Sequence, residues 1–148
     1  MTVIAYDGEY IYSDSISIDS NNNTILVSNK IKNVGFNTSF KYIAGSGLYR
    51  DILRTHIMIN YNHITPNDLL FLKNRNLNCS ILLIDYDNKP ILFRLHDNEI
   101  YIKDNLKLPI IFGSLAKEVK EVFKKGNDIL FSLKQVCGIN NPINVIKV

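Results

Sequence analysis

The sequence predicts an α+β fold, a four-layer αββα sandwich in which two antiparallel sheets lie between two layers of helices. Short segments of alternating apolar and polar residues predict strands, and pairs of segments with helical spacing interrupt these strands twice. The resulting order is strands, two helices, strands, two helices and a last strand. This order places helices on antiparallel sheets rather than between parallel strands. The 148 residues suit one domain, residues 1–148.

The first part of the chain is expected to form strands joined by tight turns. Asp7-Gly8 stands between two alternating segments and predicts a two-residue hairpin turn, because both central residues of such a turn adopt positive φ. The run Asn21-Asn22-Asn23 predicts a second turn. The predicted strands are residues 2–6, 9–13, 16–18, 24–28, 30–34 and 40–44.

The period of the apolar residues changes after Gly45-Ser46-Gly47. Apolar residues then recur at helical spacing and predict an amphipathic helix over residues 48–60. Thr65-Pro66 is typical of a helix start, with Thr65 as N-cap and proline in the first turn. A second, short helix is therefore expected to run from there to residue 73 or 74.

Strands return in the second half of the chain. Turn-forming residues separate predicted strands at 79–86, 91–95, 99–103 and 108–112. A helix is expected from Leu115, with Val119, Val122 and Phe123 on its apolar face. Gly126 ends this helix, and Asn127 or Asp128 caps another that runs to about residue 136. Residues 143–148 form the predicted closing strand.

Composition excludes several classes of function. The net charge is +3, and the strongest basic cluster, Lys30, Lys32 and Lys41, lacks the interleaved aromatic residues of a strand-binding groove, so no nucleic-acid partner is predicted. The aliphatic run 81–84 is far shorter than the about 20 residues that cross a bilayer. The start of the chain has no basic segment of a signal peptide. We expect a cytoplasmic protein without a membrane partner, and its abundant Asn, Ile and Lys suggest a phage or a low-GC bacterium.

Cysteines and histidines do not predict a metal site or a cofactor. Cys79 and Cys137 have no zinc-ligand spacing and lie in apolar stretches, so both are interpreted as reduced core thiols. The histidines His56, His63 and His96 have no ligand spacing either. The sequence implies no cofactor.

Three short motifs resemble catalytic signatures without their context. Ser114-Leu115-Ala116-Lys117 matches S-x-x-K, but the companion S-D-N and K-T-G motifs are missing. Asp85-Tyr86-Asp87 follows an apolar strand and is interpreted as part of a turn. Gly45-Ser46-Gly47 is neither a nucleophile elbow nor a convincing phosphate-binding loop.

Thr2 is the strongest candidate for chemistry. Removal of Met1 would leave one residue with both a hydroxyl and a free α-amino group. An α-amine has a pKa of about 7.7–8.0, so at neutral pH it can accept the hydroxyl proton without a histidine. A threonine at position 2 is common, and alone it carries little weight.

Five segments in order give Thr2 its context. They are Thr2-Val3-Ile4-Ala5-Tyr6, residues 10–15, residues 29–34, residues 42–47 and Ile110-Ile111-Phe112-Gly113-Ser114. This series resembles proteasome β subunits and the peptidase subunit of the bacterial proteasome-like ATP-dependent protease. Both belong to the N-terminal-nucleophile (Ntn) hydrolases, and the resemblance covers nearly the whole chain.

The resemblance implies a role for each matched residue. Thr2 would be the nucleophile, with its own amine as general base. Lys30 would lower the pKa of that amine by like charge, and Asp14 would hold Lys30 in place. The backbone N–H of Gly47 or a neighbour would bind the oxyanion, and Ser114 would bind the amine or a water beside it.

Simpler interpretations of these residues remain. Asp14 could be a turn residue at a strand end, Lys30 a solvated charge and Ser114 a helix N-cap. The family also carries an aspartate in the loop after its last helix, whereas residues 134–141 contain none.

The function that the resemblance implies is hydrolysis of peptide bonds by a threonine peptidase subunit, through an acyl-ester on Thr2. Its expected partners are peptides or unfolded proteins, further copies of the chain in a homo-oligomeric ring, and an ATP-dependent unfoldase. One alternative is a catalytically silent subunit of the same fold, which retention of Met1 would favour. Another is an unrelated binding module.

Overall fold

A computed structural model of the chain describes residues 2–18, 21, 23–26, 30–33, 40–47, 67, 79–96 and 99–148. The two helices predicted at 48–60 and 65–74 lie outside this part apart from residue 67. Contacts divide the chain into two compact units, Met1–Ile31 with Lys107–Val148, and Lys32–Leu106. The single-domain interpretation stays a prediction.

The described elements are eleven strands and two helices. In chain order they are β1 (Val3–Tyr6), β2 (Tyr10–Asp14), β3 (Ile16–Ile18), β4 (Thr24–Leu26), β5 (Ile31–Asn33), β6 (Phe40–Gly47), β7 (Cys79–Asp85), β8 (Pro90–His96), β9 (Glu99–Lys103), β10 (Ile110–Gly113), α1 (Ala116–Lys124), α2 (Ile129–Cys137) and β11 (Ile143–Lys147). Every predicted strand that the structure describes is present, with ends that differ by a few residues.

The first unit contains an antiparallel sheet in the order β10-β1-β2-β11. The first and second strands along the chain thus form its centre, and the two strands from the end of the chain flank them. A separate ribbon pairs β3 with β4. Strand β1 lies between β10 and β2 and is buried along its whole length. Thr2 directly precedes this central strand.

The β1–β2 hairpin turns one residue later than predicted. Tyr6 pairs with Ile11, and the carboxylate of Asp7 accepts hydrogen bonds from the backbone N–H groups of Glu9 and Tyr10. This side-chain bond makes Asp7 the first residue of the turn, so that Gly8 rather than Asp7 occupies the first central position. Gly8 accordingly has a φ of 103°.

Helices α1 and α2 cover one face of this sheet. Val3 and Ala5 of β1 form a buried cluster with residues of the helices, among them Val119 and Leu133. As predicted, Asp128 caps α2, since its side chain accepts a hydrogen bond from Phe131 N. Gly126, with a φ of 91°, follows the end of α1.

The second unit contains the sheet β5-β6-β7-β8-β9, whose β6 to β9 pairs are antiparallel. The prediction that β6 ends at residue 44 is wrong, because Gly45-Ser46-Gly47 continues its pairing with β7. The prediction of a turn at Asp85 is confirmed: its carboxylate accepts hydrogen bonds from the backbone N–H groups of Asp87 and Lys89. The α+β class is likewise confirmed, with two antiparallel sheets and helices.

Candidate active site

Asp14 ends strand β2 at the open end of the hairpin and is fully buried. Its Oδ1 accepts a hydrogen bond of 2.8 Å from the backbone N–H of Val3. Its Oδ2 accepts a longer bond of 3.4 Å from the backbone N–H of Ile16. Asp14 does end a strand, as the simpler interpretation held, and its buried carboxylate also ties the end of β2 to the start of β1.

Lys30 supplies the positive charge beside this carboxylate. Its Nζ lies 2.8 Å from Asp14 Oδ2, 3.1 Å from Thr2 Oγ1 and 2.7 Å from the carbonyl oxygen of Ile16. An ammonium group has three N–H donors, so all three have an acceptor. The side chain is only 7% exposed, which shows that the solvated-charge interpretation is wrong. The expected contact among Thr2, Asp14 and Lys30 is confirmed.

Thr2 lies in an extended segment just before β1, and its backbone faces Ser114. The N–H of Thr2 donates a hydrogen bond of 2.9 Å to Ser114 Oγ. The N-cap interpretation of Ser114 is wrong, because Leu115 occupies the N-cap position of α1. Ser114 thus reaches Thr2 from the connection between β10 and α1.

Gly113 explains how Ser114 comes so close to Thr2. It pairs with Val3 at the end of β10 and has a φ of 114°. A Cβ atom on this residue would lie 2.2 Å from the carbonyl oxygen of Thr2. Only glycine therefore allows the β10 backbone to pass Thr2 at this distance and with this φ.

Sequence reasoning missed the residues that fix the chain after Asp14. The backbone N–H of Ser15 donates a hydrogen bond of 2.9 Å to Asn141 Oδ1, and Ser15 Oγ donates one of 2.6 Å to the carbonyl of Pro142. Asn141 is buried in the loop after α2, in the stretch that lacks the aspartate of the resembled family. The only signal for this contact is a short polar residue before Pro142 and a following strand.

Gly47 ends β6 in the second unit, with a φ of 136°. This φ is readily adopted by glycine alone. The oxyanion role that the resemblance implies for its N–H stays a prediction.

Cys137 is a neutral thiol near the charged pair. Burial raises its pKa to about 11, with a further contribution from the negative charge of Asp14, while Lys30 acts in the opposite direction. A thiolate is the nucleophilic form of cysteine, and a raised pKa favours the neutral thiol. Both cysteines are free, and the prediction of a core thiol is confirmed for Cys79, which is buried in β7, whereas Cys137 is only partly buried.

A cavity of about 490 Å³ opens elsewhere in the first unit. It lies beside the hairpin turn, where Asp7, Tyr12 and the start of α2 line it, and none of the predicted site residues does. The candidate site is therefore defined by its side-chain chemistry and not by this cavity. Among the described residues, no group of three or more His, Cys, Asp or Glu could hold a metal ion, and no helix is long and apolar enough to cross a membrane.

Comparison with known proteins identifies the fold. No protein-family model matches the sequence, and no curated protein sequence matches it significantly. Among solved structures, Anbu from Hyphomicrobium sp. strain MC1 superposes with a TM-score of 0.63 at 10% identity, over 100% of this chain and 82% of that chain. Anbu (ancestral beta-subunit) from Yersinia bercovieri superposes with a TM-score of 0.62 at 13% identity, over 99% of this chain and 81% of that chain. Eukaryotic HslV from Trypanosoma brucei gives 0.55 at 10% identity, over the full length of both chains.

At these identities the likeness establishes the fold and nothing finer. Because it extends over the whole chain in both Anbu structures and in HslV, the predicted fold class is confirmed. The chain has the α+β fold of the Anbu and HslV structures.

Proposed function

We propose that the chain is a proteasome-like threonine peptidase subunit that hydrolyses peptide bonds through an acyl-ester on Thr2. The observation that carries this proposal is the position of the Lys30 ammonium, 3.1 Å from Thr2 Oγ1 and 2.8 Å from Asp14 Oδ2. A buried cation at this distance stabilises negative charge that develops on the threonine oxygen. The fold supports the same function.

The first step is activation of the Thr2 hydroxyl. Once Met1 is removed, the nitrogen of Thr2 is a primary amine that accepts the proton of Oγ1, directly or through a water. The nearby Lys30 ammonium lowers the pKa of this amine, because like charge disfavours its protonated form. Ser114 Oγ, 2.9 Å from Thr2 N, holds the amine in place.

The second step is transfer of the acyl group. Oγ1 forms a bond to the scissile carbonyl carbon, whose oxygen becomes an oxyanion, and the resemblance implies that the N–H of Gly47 or a neighbour binds this oxyanion. The intermediate then collapses, the C–N bond breaks, and the Thr2 ammonium returns its proton to the leaving amine. A water, deprotonated by the same amine, attacks the ester carbon and releases the second peptide with regeneration of Thr2.

Asp14 acts through Lys30. A buried ion pair contributes little net stability, because desolvation of both charges offsets their attraction. A buried pair that also contacts the hydroxyl of Thr2 is therefore better explained by chemistry than by folding. Folding alone requires an acceptor for the third N–H of Lys30, but it does not require that this acceptor be the hydroxyl of Thr2.

The same proposal includes the setting of the enzyme. Its substrates are peptides or unfolded proteins in the cytoplasm. Further copies of the chain form a ring, and an ATP-dependent unfoldase delivers the substrate. Closure of a ring would keep folded proteins away from the nucleophile.

The test combines intact mass with a panel of short fluorogenic peptides. The wild-type protein should lack Met1 and hydrolyse at least one peptide of the panel. Thr2→Ala removes the nucleophile and should abolish hydrolysis, whereas Thr2→Ser keeps hydroxyl and amine and should retain part of it. Lys30→Ala should lower kcat by about 100-fold or more, the usual loss for one stabilising group at an oxyanion.

Lys32→Ala is the matched control, because Lys32 lies two residues further along the chain and is exposed. It should leave the rate unchanged. Equal rates in wild type and Thr2→Ala would refute the nucleophile. A trimmed wild type that hydrolyses no peptide, alone or with an unfoldase, would favour the silent subunit.

A further inference from the structure

Strand β2 ends at Asp14 and β3 begins at Ile16, and the residues on both sides of this break contact Lys30. Two of the three acceptors around Lys30 Nζ come from this short stretch: Asp14 Oδ2 at 2.8 Å and the Ile16 carbonyl at 2.7 Å. Ser15, between them, belongs to neither β2 nor β3. Ser15 thus separates the two residues that contact the ammonium, so the path of the backbone at Ser15 sets the distance between the Asp14 carboxylate and the Ile16 carbonyl.

The interruption leaves the backbone of Ser15 without a place in a strand ladder. A buried N–H without a partner costs about 1–3 kcal/mol, so another group must accept it. Asn141 Oδ1 does so at 2.9 Å. The Ser15 hydroxyl adds a second bond to the next residue, Pro142, at 2.6 Å.

These two hydrogen bonds join Ser15 to the loop between α2 and β11. Ser15 is 3% exposed and Asn141 6% exposed, so water does not replace either partner freely. The loop is itself held, because Asn141 N donates to the Gly138 carbonyl and β11 pairs with β2 from Ile143 opposite Asp14. These contacts hold the loop that carries Asn141, and the hydrogen bond from Ser15 N to Asn141 Oδ1 in turn holds the backbone at Ser15.

We propose that Asn141 is a positioning residue, whose side chain holds the backbone at Ser15 so that Asp14 and Ile16 together bind the Lys30 ammonium beside Thr2. The effect of Asn141 on the reaction rate rests on the proposed function. Its effect on the position of Lys30 can be measured without any catalysis. Asn141 contacts neither Thr2 nor Lys30 and acts through Ser15.

Two substitutions of Asn141 with side chains of nearly equal shape separate the effect of its hydrogen-bond acceptor from the effect of its volume. Asn141→Leu keeps the size of the side chain but accepts no hydrogen bond. Asn141→Asp keeps an oxygen at the position of Oδ1 and still accepts from Ser15 N. We expect Asn141→Leu to lower kcat by about 10-fold to 100-fold, as small misplacements of catalytic groups do, with KM unchanged. Asn141→Asp should restore most of kcat.

The second readout is the NMR signal of the Lys30 ammonium protons. These protons are buried and fully hydrogen-bonded in the wild type, so they should exchange slowly with water and give a resolved signal. The signal should disappear in Asn141→Leu and persist in Asn141→Asp. Should Asn141→Leu not fold, Ser15→Ala removes only the bond to Pro142 and should accelerate exchange of the same protons.

The outcomes separate the two proposals. A wild type that hydrolyses no peptide refutes the proposed function, yet the Lys30 signal still decides the role of Asn141. A persistent Lys30 signal in folded Asn141→Leu overturns the positioning role, as does its loss in both variants. Unchanged kcat in Asn141→Leu would show that the hydrogen bond between Ser15 and Asn141 does not contribute to catalysis.

Discussion

The two ends of the β1–β2 hairpin each contain an aspartate, and the two carboxylates have different surroundings. At the turn, Asp7 accepts hydrogen bonds from Glu9 N, Tyr10 N and the hydroxyl of Tyr12. All of these partners lie within five residues of Asp7. This carboxylate shapes its own turn, and within the described part of the chain it forms no ion pair with a lysine.

At the open end, Asp14 has one local partner, the N–H of Ile16, and two partners that are distant in sequence. Val3 is 11 residues away and Lys30 is 16 residues away. Lys30 in turn reaches Thr2, 28 residues from itself. A carboxylate with only local neutral partners is explained by the turn that it forms, whereas a buried carboxylate with a distant cation and a hydroxyl needs a further reason. On the proposed function, this difference separates an open end that takes part in chemistry from a turn that is structural.

Replacement of each aspartate by asparagine should give the largest contrast. In Asp14→Asn one side-chain position becomes an NH₂ group, which faces either the Lys30 ammonium or the N–H of Val3, and neither of these can accept. In Asp7→Asn the NH₂ group faces the Tyr12 hydroxyl, which can rotate and accept. Asp14→Asn should therefore cost about 3–5 kcal/mol of unfolding free energy, and Asp7→Asn about 1 kcal/mol.

Urea denaturation measures both free energies, and the peptidase assay gives the rate per folded molecule. Asp14→Asn should lose about 100-fold or more in kcat, while Asp7→Asn should keep the wild-type rate. Similar losses of stability and rate in the two variants would remove the distinction between the ends of the hairpin.

Two glycines extend the comparison, one for each end. Gly8 has a φ of 103° and Gly113 a φ of 114°, so an alanine is strained to a similar degree at both. Their surroundings differ: a Cβ at Gly8 would lie 2.9 Å from Leu108 Cδ1, and one at Gly113 would lie 2.2 Å from the carbonyl oxygen of Thr2. Leu108 is 43% exposed and can move aside, whereas a strand backbone cannot.

Gly113→Ala should therefore destabilise the protein by about 2–4 kcal/mol, the sum of backbone strain and a forced shift of Thr2. It should also lower kcat, because Thr2 moves relative to Lys30. Gly8→Ala should cost only the strain, about 1–2 kcal/mol, with kcat unchanged. Urea denaturation and the peptidase assay on both variants decide the matter, and equal effects would show that Thr2 tolerates displacement.

The fold could largely be predicted from the sequence because its elements are signalled locally. Alternating residues mark the strands, and Gly126 and Asp128 mark the boundary between α1 and α2. The local signals failed where side chains overrule them. Asp7 moved the hairpin turn by one residue through its own hydrogen bonds, and β7 provided a partner for Gly45-Ser46-Gly47, which alone resembles a turn.

The site could be predicted in part, and for a different reason. Thr2, Asp14, Lys30 and Ser114 were found through the resemblance to a known family, and the structure places these four together. Asn141 was missed because its partner Ser15 is 126 residues away, and a contact at that distance leaves no periodic or spacing signal. The need for glycine at position 113 depends in the same way on a backbone 111 residues distant, that of Thr2.

The smallest expected effect concerns pH and the turn end alone. Burial acts to raise the pKa of Asp7, but hydrogen bonds from Tyr10 N, the Tyr12 hydroxyl and Glu9 N outweigh it and lower the pKa below its ordinary 3.8. A carboxylate with a lowered pKa in the folded state stabilises the protein above its unfolded pKa, and this contribution is lost as the pH falls through the folded pKa. Asparagine does not titrate. The difference in melting temperature between wild type and Asp7→Asn should therefore be constant from pH 7 to about pH 5 and should shrink below about pH 4.

Other carboxylates titrate in the same range, but they are common to both proteins and cancel in the difference. A difference that stays constant down to pH 2 would show that the charge of Asp7 does not stabilise the turn, and the comparison with Asp14 would then rest on geometry alone.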